Sequence, residues 1–235
     1  MSNKMLTKRP RAILFDLDGT LVDSAPDLTE ALKCTFLVLD KQPHSEEKVT
    51  GWIGNGVDKL LHRALTDSMD GVASGDEFWR ARKSFFAEYQ KQSGNKSRLY
   101  HGVEKALEKL FQQGTLIACV TNKSRQFTLP LLEKLGIINY FNMVVCGDDL
   151  TNKKPHPEPI IFIANKLNIK VEDCLMVGDS VNDVKAANTA EMRIFCVDYG
   201  YSQGVNLQAL KVDAMISDIR EIESYFAEHS IKQCG

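Results

Sequence analysis

Ala12-Ile13-Leu14-Phe15-Asp16-Leu17-Asp18-Gly19-Thr20-Leu21-Val22-Asp23-Ser24 decides how the rest of the chain is read. Its first four residues form an uninterrupted apolar run, the pattern of a strand buried on both faces. Two carboxylates follow at i and i+2. In extended backbone alternate side chains share a side, so Asp16 and Asp18 face one pocket while Leu17 turns away. Carboxylates held that close repel each other unless a cation or a proton lies between them. Gly19 suits the turn that follows, because it reaches backbone angles that a side chain would forbid. A strand-end aspartate taken alone is also an ordinary turn cap. The remainder of the chain has to separate the two readings.

Bulk properties set wide limits. The 235 residues are 43% hydrophobic and 26% charged, with a formal net charge of -2. These are ordinary globular values, sufficient for one large domain or for a core plus a smaller one. No basic stripe suggests nucleic acid, residues 1–10 lack the apolar core of a secretory signal, and no run approaches the length of a membrane span. The expectation is a soluble cytoplasmic protein with neither nucleic acid nor membrane as partner. Monomer and homodimer stay open. Cys34, Cys119, Cys146, Cys174, Cys196 and Cys234 contain no Cys-x-x-Cys pair and no zinc spacing with the histidines. Four of them sit in apolar runs, where cysteine behaves as a small buried hydrophobe in a reducing compartment.

After the opening stretch the pattern is helical. Ser24-Ala25-Pro26-Asp27 makes a helix start with proline in the first turn. Leu28, Ala31, Leu32, Thr35, Phe36 and Leu39 then recur at helical spacing. The glycine-rich turn Gly51–Gly56 leads to a helix through Leu60, Leu61, Ala64 and Leu65, and a further helix carries Phe78, Ala81, Phe85, Phe86 and Tyr89. Nothing in this region reads as a strand. From Leu99 the rhythm changes to alternation. Helices at Val103–Gln113, Gln126–Leu135, Pro157–Leu167 and Val181–Ala190 precede strands at Thr115–Thr121, Asn142–Cys146, Cys174–Gly178 and Arg193–Val197. A short strand Ala214–Ile216 and a terminal helix Asp218–His229 complete the pattern. Such alternation predicts an α/β fold with a parallel sheet covered on both faces. The helical stretch after the first strand is far longer than a crossover requires. It is therefore expected to be an inserted domain, residues 26–98, on a core made of residues 1–25 and 99–235.

Open parallel sheets bind ligands at the carboxyl ends of their strands. The polar signals of this chain fall there. Thr121-Asn122-Lys123 follows the second strand, as either a phosphate-oxygen cradle or a plain helix start. Lys154 precedes a helix-opening proline, as either a solvated lysine or a counter-charge for phosphate and carboxylates. Asp179 and Asp183, four apart after Gly178, lie on one side of a first helical turn, where an aspartate can also be a cap.

Taken in order, these segments resemble the four motifs of the haloacid dehalogenase superfamily, with Asp16 and Asp18 at the first, Thr121 at the second, Lys154 at the third, and Asp179 with Asp183 at the fourth. The resemblance implies a Rossmann-like core with an all-helical cap inserted between the first two motifs. Phe15–Leu28, Gly54-Asn55-Gly56, Thr121-Asn122-Lys123, Gly147–Leu150, Lys153–Pro157 and Tyr199-Gly200-Tyr201 are similar to the phosphoglycolate phosphatase subgroup. Two departures stand out: Ser124 where that subgroup often has proline, and Glu191 where a glycine commonly closes the helix.

The resemblance implies a phosphomonoester hydrolase working through an aspartyl-phosphate, with 2-phosphoglycolate as the first substrate to consider. Asp16 is then the nucleophile, and Asp18 the acid for the leaving alkoxide and the base for water. Mg2+ would be held by Asp16, the Asp18 carbonyl and Asp179, with Asp183 behind. Gly19, Thr121, Asn122 and Lys154 would hold phosphate oxygens. Asn55 and Gly56 would read the organic end, although Gly-Asn-Gly is also an ordinary turn. Another small phosphomonoester, a sugar phosphomutase, and a regulatory binding module on the same scaffold remain as alternatives.

Overall fold

A computed structural model describes residues 8–226. The opening apolar run is strand β1, Ala12–Phe15, and β2 is the two-residue Val22–Asp23. Four helices follow: α1 Ala25–Val38, α2 Glu46–Thr50, α3 Val57–Thr66 and α4 Gly75–Gln92. Strand β3, Arg98–Leu99, pairs antiparallel with β2. The alternating part is α5 Val103–Gln112, β4 Leu116–Val120, α6 Arg125–Lys134, β5 Met143–Val145, α7 Glu158–Lys166, β6 Cys174–Gly178, α8 Val181–Thr189, β7 Arg193–Val197 and β8 Ala214–Ile216. The second, third and fourth strands expected after β1, and the helices between them, fall within a residue or two of these bounds.

Six strands form one sheet in the order β5-β4-β1-β6-β7-β8, and every pairing is parallel. β1 lies inside it, with Ala12–Phe15 aligned on Leu116–Cys119 to one side and Cys174–Val177 to the other. Alternation assigns the two faces. Ile13, Phe15, Ile117, Cys119, Leu175 and Val177 pack under α5 and α6. Ala12, Leu14, Ala118, Val120, Cys174 and Met176 pack under α7 and α8. Both faces are covered, so these strands show no polar face in sequence. The chain steps outward from β1 to β4 and β5, then returns to β6 on β1's other side. That reversal puts the topological switch point at β1's carboxyl end.

The helices of residues 25–92 have an apolar core of their own, including Leu28, Leu32, Phe36, Leu61, Phe85 and Tyr89, into which Phe127 of α6 and Tyr201 of the loop after β7 also pack. Asp27 is fully buried in the first turn of α1 and accepts from Gly94 N (2.8 Å), Lys96 N (2.8 Å), Ser97 N (3.0 Å) and Ser97 Oγ (2.5 Å). That single carboxylate fastens the chain leaving the insert to the chain entering it. The β2–β3 ribbon adds a second fastening beside it.

Three features differ from the sequence expectation. β3 falls at the edge of a stretch that read as purely helical, because a two-residue strand has no periodicity to detect. α2 is a five-residue helix with Ser45 capping Lys48 N, too short for a moment. The terminal helix expected at Asp218–His229 is instead a 3-10 segment, Ile219–Tyr225, started by a reciprocal Asp218–Glu221 cap. Ile219 and Ile222, three apart, are both buried, and an i,i+3 pair suits the three-residue turn. Residues 227–229 and Cys234 lie outside the described residues.

Candidate active site

Asp16 follows β1 directly, and its N–H continues the ladder to Val177 O at 2.9 Å. The turn beyond it is tight: Leu21 N and Val22 N both donate to Leu17 O at 3.0 Å. Gly19 sits there with φ +92°, and a Cβ on it would lie 2.2 Å from Asp179 Oδ2. A side chain at that position is excluded on both counts. The fold brings Asp16, Asp179 and Asp183 together from β1 and the β6–α8 turn, all buried, with oxygens within 4.8 Å of one another. Lys154 reaches them from the β5–α7 loop, with Nζ donating to Val120 O (2.6 Å) and Asp183 Oδ1 (2.7 Å) and lying 2.9 Å from Asp16 Oδ1. Asp183 is saturated on its other oxygen by Ser180 Oγ at 2.6 Å and Ser180 N at 3.1 Å. Asp179 accepts from Thr20 Oγ1 (2.7 Å) and Tyr201 N (2.6 Å).

Asp18, partly buried, faces a different cation. Its oxygens lie 3.0 and 3.1 Å from Lys123 Nζ, and Ser24 Oγ donates to it at 2.6 Å. Ser24 stands at the N-cap position of α1, yet its hydroxyl does not cap the helix. The phenol oxygen of Tyr201 does so instead, accepting from Ser24 N (2.9 Å) and Ala25 N (3.0 Å) and donating to Asp23 (2.5 Å).

Electrostatics follow from the placement. Burial raises the Asp16 carboxyl to about 7, with Lys154 opposing the rise and Asp183 adding to it. Burial also lifts Asp179 well above the usual carboxylate range, and the charges of Asp16 and Asp183 lift it further. For Lys154 burial works against the ammonium, but Asp16 and Asp183 outweigh it and hold the charge on. Lys123 is held charged in the same way, chiefly by Asp18. Four carboxylates thus face two ammonium groups. The donor set is hard oxygen throughout and short of positive charge, which fits a divalent cation.

The remaining expected residues divide in two. Thr121 and Asn122 are buried beside Asp16 and Asp18 along one cavity, whose far wall includes Gly54 and Gly56 of the insert. Asn122 Nδ2 donates to Gly54 O (3.1 Å) and Lys154 O (2.9 Å), and Asn182 Nδ2 also donates to Gly54 O (3.2 Å). The Gly54–Gly56 turn is therefore seated on the strand ends. Asn55 turns outward: its Oδ1 accepts from Gln203 (3.3 Å) and its carbonyl from Lys153 (3.1 Å). Lys123, Ser24 and Tyr201 lie in stretches quoted from the sequence but receive no individual role at the site there. For Lys123 a signal existed, since each buried carboxylate requires a counter-charge and Lys123 ends the Thr-Asn-Lys run.

Residues 13–197 match the family model described as haloacid dehalogenase-like hydrolase. The chain belongs to that family. It is similar to a protein of Nitrosococcus oceani named phosphoglycolate phosphatase, 44% identical over 95% of this chain and 99% of the relative. A protein of the same name from Nitrosospira multiformis is 40% identical over 90% of this chain and 93% of the relative. Among solved structures, a predicted phosphoglycolate phosphatase from Haemophilus somnus superposes with a TM-score of 0.87 at 34% identity. It spans 92% of this chain and 98% of its own. Within this hydrolase family, then, the site described above occupies the carboxyl edge of the sheet at its switch point.

Proposed function

We propose that this enzyme, a phosphatase, hydrolyses a small phosphomonoester through an aspartyl-phosphate on Asp16, with Mg2+ as cofactor and 2-phosphoglycolate as substrate. The observation that carries the mechanism is the buried Asp16 carboxylate held 2.9 Å from Lys154 beside a cavity that also contains Asp18. The relatives' names support the substrate. Asp16 attacks phosphorus and displaces the alkoxide, so one hard displacement becomes two easier ones. Asp18 gives its proton to the leaving oxygen and later takes one from the water that splits the intermediate. Lys154 and Thr121 hold non-bridging oxygens, and Lys154 also balances Asp16 and Asp183. Asp16, the Asp18 carbonyl and Asp179 would hold Mg2+, with Asp183 engaged by Lys154 and Ser180 behind them. The cation supplies charge neutralisation that lets a carboxylate approach a dianion.

We assign residues 26–98 as a cap on a core of 1–25 and 99–235. Their separate apolar core and the fastening by Asp27 support this. The cap turn at Gly54–Gly56 would close over the cavity, exclude water and present Gly56 near the organic end, with Asn55 held outward by Gln203. A cytoplasmic location agrees with five free cysteines among the described residues. No helix among these residues is long and apolar enough to cross a membrane.

The test is a single-turnover burst with an aryl phosphate and with 2-phosphoglycolate side by side. Wild type should burst with both, lose both in EDTA, and recover with Mg2+ but not Ca2+, whose larger and looser shell misplaces the nucleophile. Asp16→Asn should form no phosphoenzyme from either substrate. Asp18→Asn should keep the aryl burst and lose the alkyl one, because an aryl oxide leaves without a proton. Turnover by Asp16→Asn, or by metal-free wild type, would overturn the mechanism.

A further inference from the structure

Two lysines are buried at the site, and only one of them is committed to the phosphate end. Lys154 has three acceptors at 2.6 to 2.9 Å, all on the sheet side. Lys123 lines the cavity itself and is the one cation among its lining residues, opposite an apolar wall of Leu28, Ile53, Val57 and Leu60. Its side chain is 3% exposed. Besides the two Asp18 oxygens its Nζ lies 4.8 Å from the centre of the Tyr89 ring, which the insert supplies. A buried ammonium is costly unless it is paired, and the opposite charges among the cavity's lining residues are Asp16 and Asp18, both also needed by the phosphate chemistry.

We infer that Lys123 reads the carboxylate of the substrate, restricting the site to phosphorylated hydroxy acids in which the acid carbon is attached close to the ester oxygen. The inference rests on the phosphatase reading, because it requires the ester oxygen to meet Asp18. In a 2-phospho acid the carboxylate carbon is two bonds from that oxygen. An ester oxygen hydrogen-bonded to Asp18 therefore carries its carboxylate to within a further hydrogen bond's reach of Nζ, which already lies 3.0 Å from Asp18. The apolar wall offers nothing to a hydroxyl or an ammonium in the same place. Lys123 shares the cavity with Leu28, Ile53, Val57 and Leu60 of the insert, so the chamber around the carboxylate is complete only with the insert seated.

Lys123 also touches Asp18, so loss of activity alone would not separate reading from positioning. The ratio of two substrates does. 2-Phosphoglycolate and 2-hydroxyethyl phosphate both have unactivated alkyl leaving groups and depend on Asp18 alike, so damage to Asp18 cancels between them. Wild type should favour 2-phosphoglycolate in kcat/KM by about 10- to 100-fold, the size of one charge-assisted hydrogen bond. Lys123→Gln keeps a donor for Asp18 but no charge. It should bring the ratio close to one, mainly by raising KM for 2-phosphoglycolate, and Lys123→Arg should recover most of it. Parallel losses on both substrates, with the ratio intact, would overturn the inference. A second measurement needs no variant: 3-phosphonopropionate should inhibit wild-type aryl phosphate hydrolysis at least about tenfold more tightly than propylphosphonate. Equal inhibition would also overturn the inference while leaving the phosphatase reading standing. Wild type that hydrolyses neither ester nor the aryl phosphate would instead remove the phosphatase reading itself.

Discussion

Residue by residue, the chemistry-bearing groups were visible in the sequence wherever a strand end fixed their direction. Asp16, Thr121 and Asp179 each come directly after a strand, and strand alternation alone predicts which way they face. Lys123 and Ser24 were harder to read because their partners are remote in sequence or conditional on a rotamer. Ser24 reads as a helix cap, but its hydroxyl donates to Asp18 and the Tyr201 phenol accepts from the first N–H groups in its place. Glu191 is one of the two departures from the subgroup's pattern, and the structure gives its cost. It follows α8 with φ +58°, the left-handed conformation in which glycine is free of steric penalty. Glu191→Gly should therefore stabilise the protein by about 1 kcal/mol, or about 2–4 °C in Tm for a chain of this size. Thermal melts of the two proteins settle it, and an unchanged or lower Tm would mean that the glutamate is held by contacts worth as much as the strain.

Whole elements were legible in proportion to their length. Strands β4, β6 and β7 stand out as continuous apolar runs between helical segments, whereas β2 and β3 have two residues each and no pattern to show. What those short elements do is held in side chains far away in the chain. Tyr201, in the loop after β7, caps α1 through its hydroxyl and holds Asp179 through its backbone N–H. It thus ties the first turn of the insert to the carboxylate cluster. Tyr201→Phe keeps the ring and the backbone but leaves two buried N–H groups and Asp23 without their partner. The expected loss is about 1–3 kcal/mol, or roughly 2–12 °C in Tm. A difference in Tm below one degree would show that Ser24 turns back to cap the helix, and Asp18 would then have lost its hydroxyl donor.

At the level of the whole molecule, a parallel sheet was implied by the βα alternation, while its strand order and the seating of the insert were not. Nothing in a one-dimensional pattern says that Asn122 and Asn182 converge on the same carbonyl, Gly54 O. The charge balance of the site has a global signature too. Without a cation, Asp16 titrates at about 7 instead of at its ordinary value of 3.8, so its contribution to stability is complete below about 3.8 and is lost as pH rises toward 7. Asp179 is raised as well and acts in the same direction. A bound cation removes that penalty, and saturation a hundredfold above Kd contributes about 2.7 kcal/mol. The rise in Tm on adding Mg2+ should therefore be larger at pH 8 than at pH 5.5, where protons compete for the same oxygens. Equal shifts at the two pH values would show that the carboxylates are not what the cation binds. The β2–β3 ribbon has a consequence of another kind. Because Val22 sits opposite Leu99 and Asp23 opposite Arg98, the pair is a hairpin whose turn has been expanded into residues 24–97. Two residues could in principle close the same hairpin, so the sheet neither knows nor needs to know what is carried between those two positions. Evolution can lengthen, shorten or exchange that cassette without shifting one register in the sheet, and a protein engineer has the same two cut points.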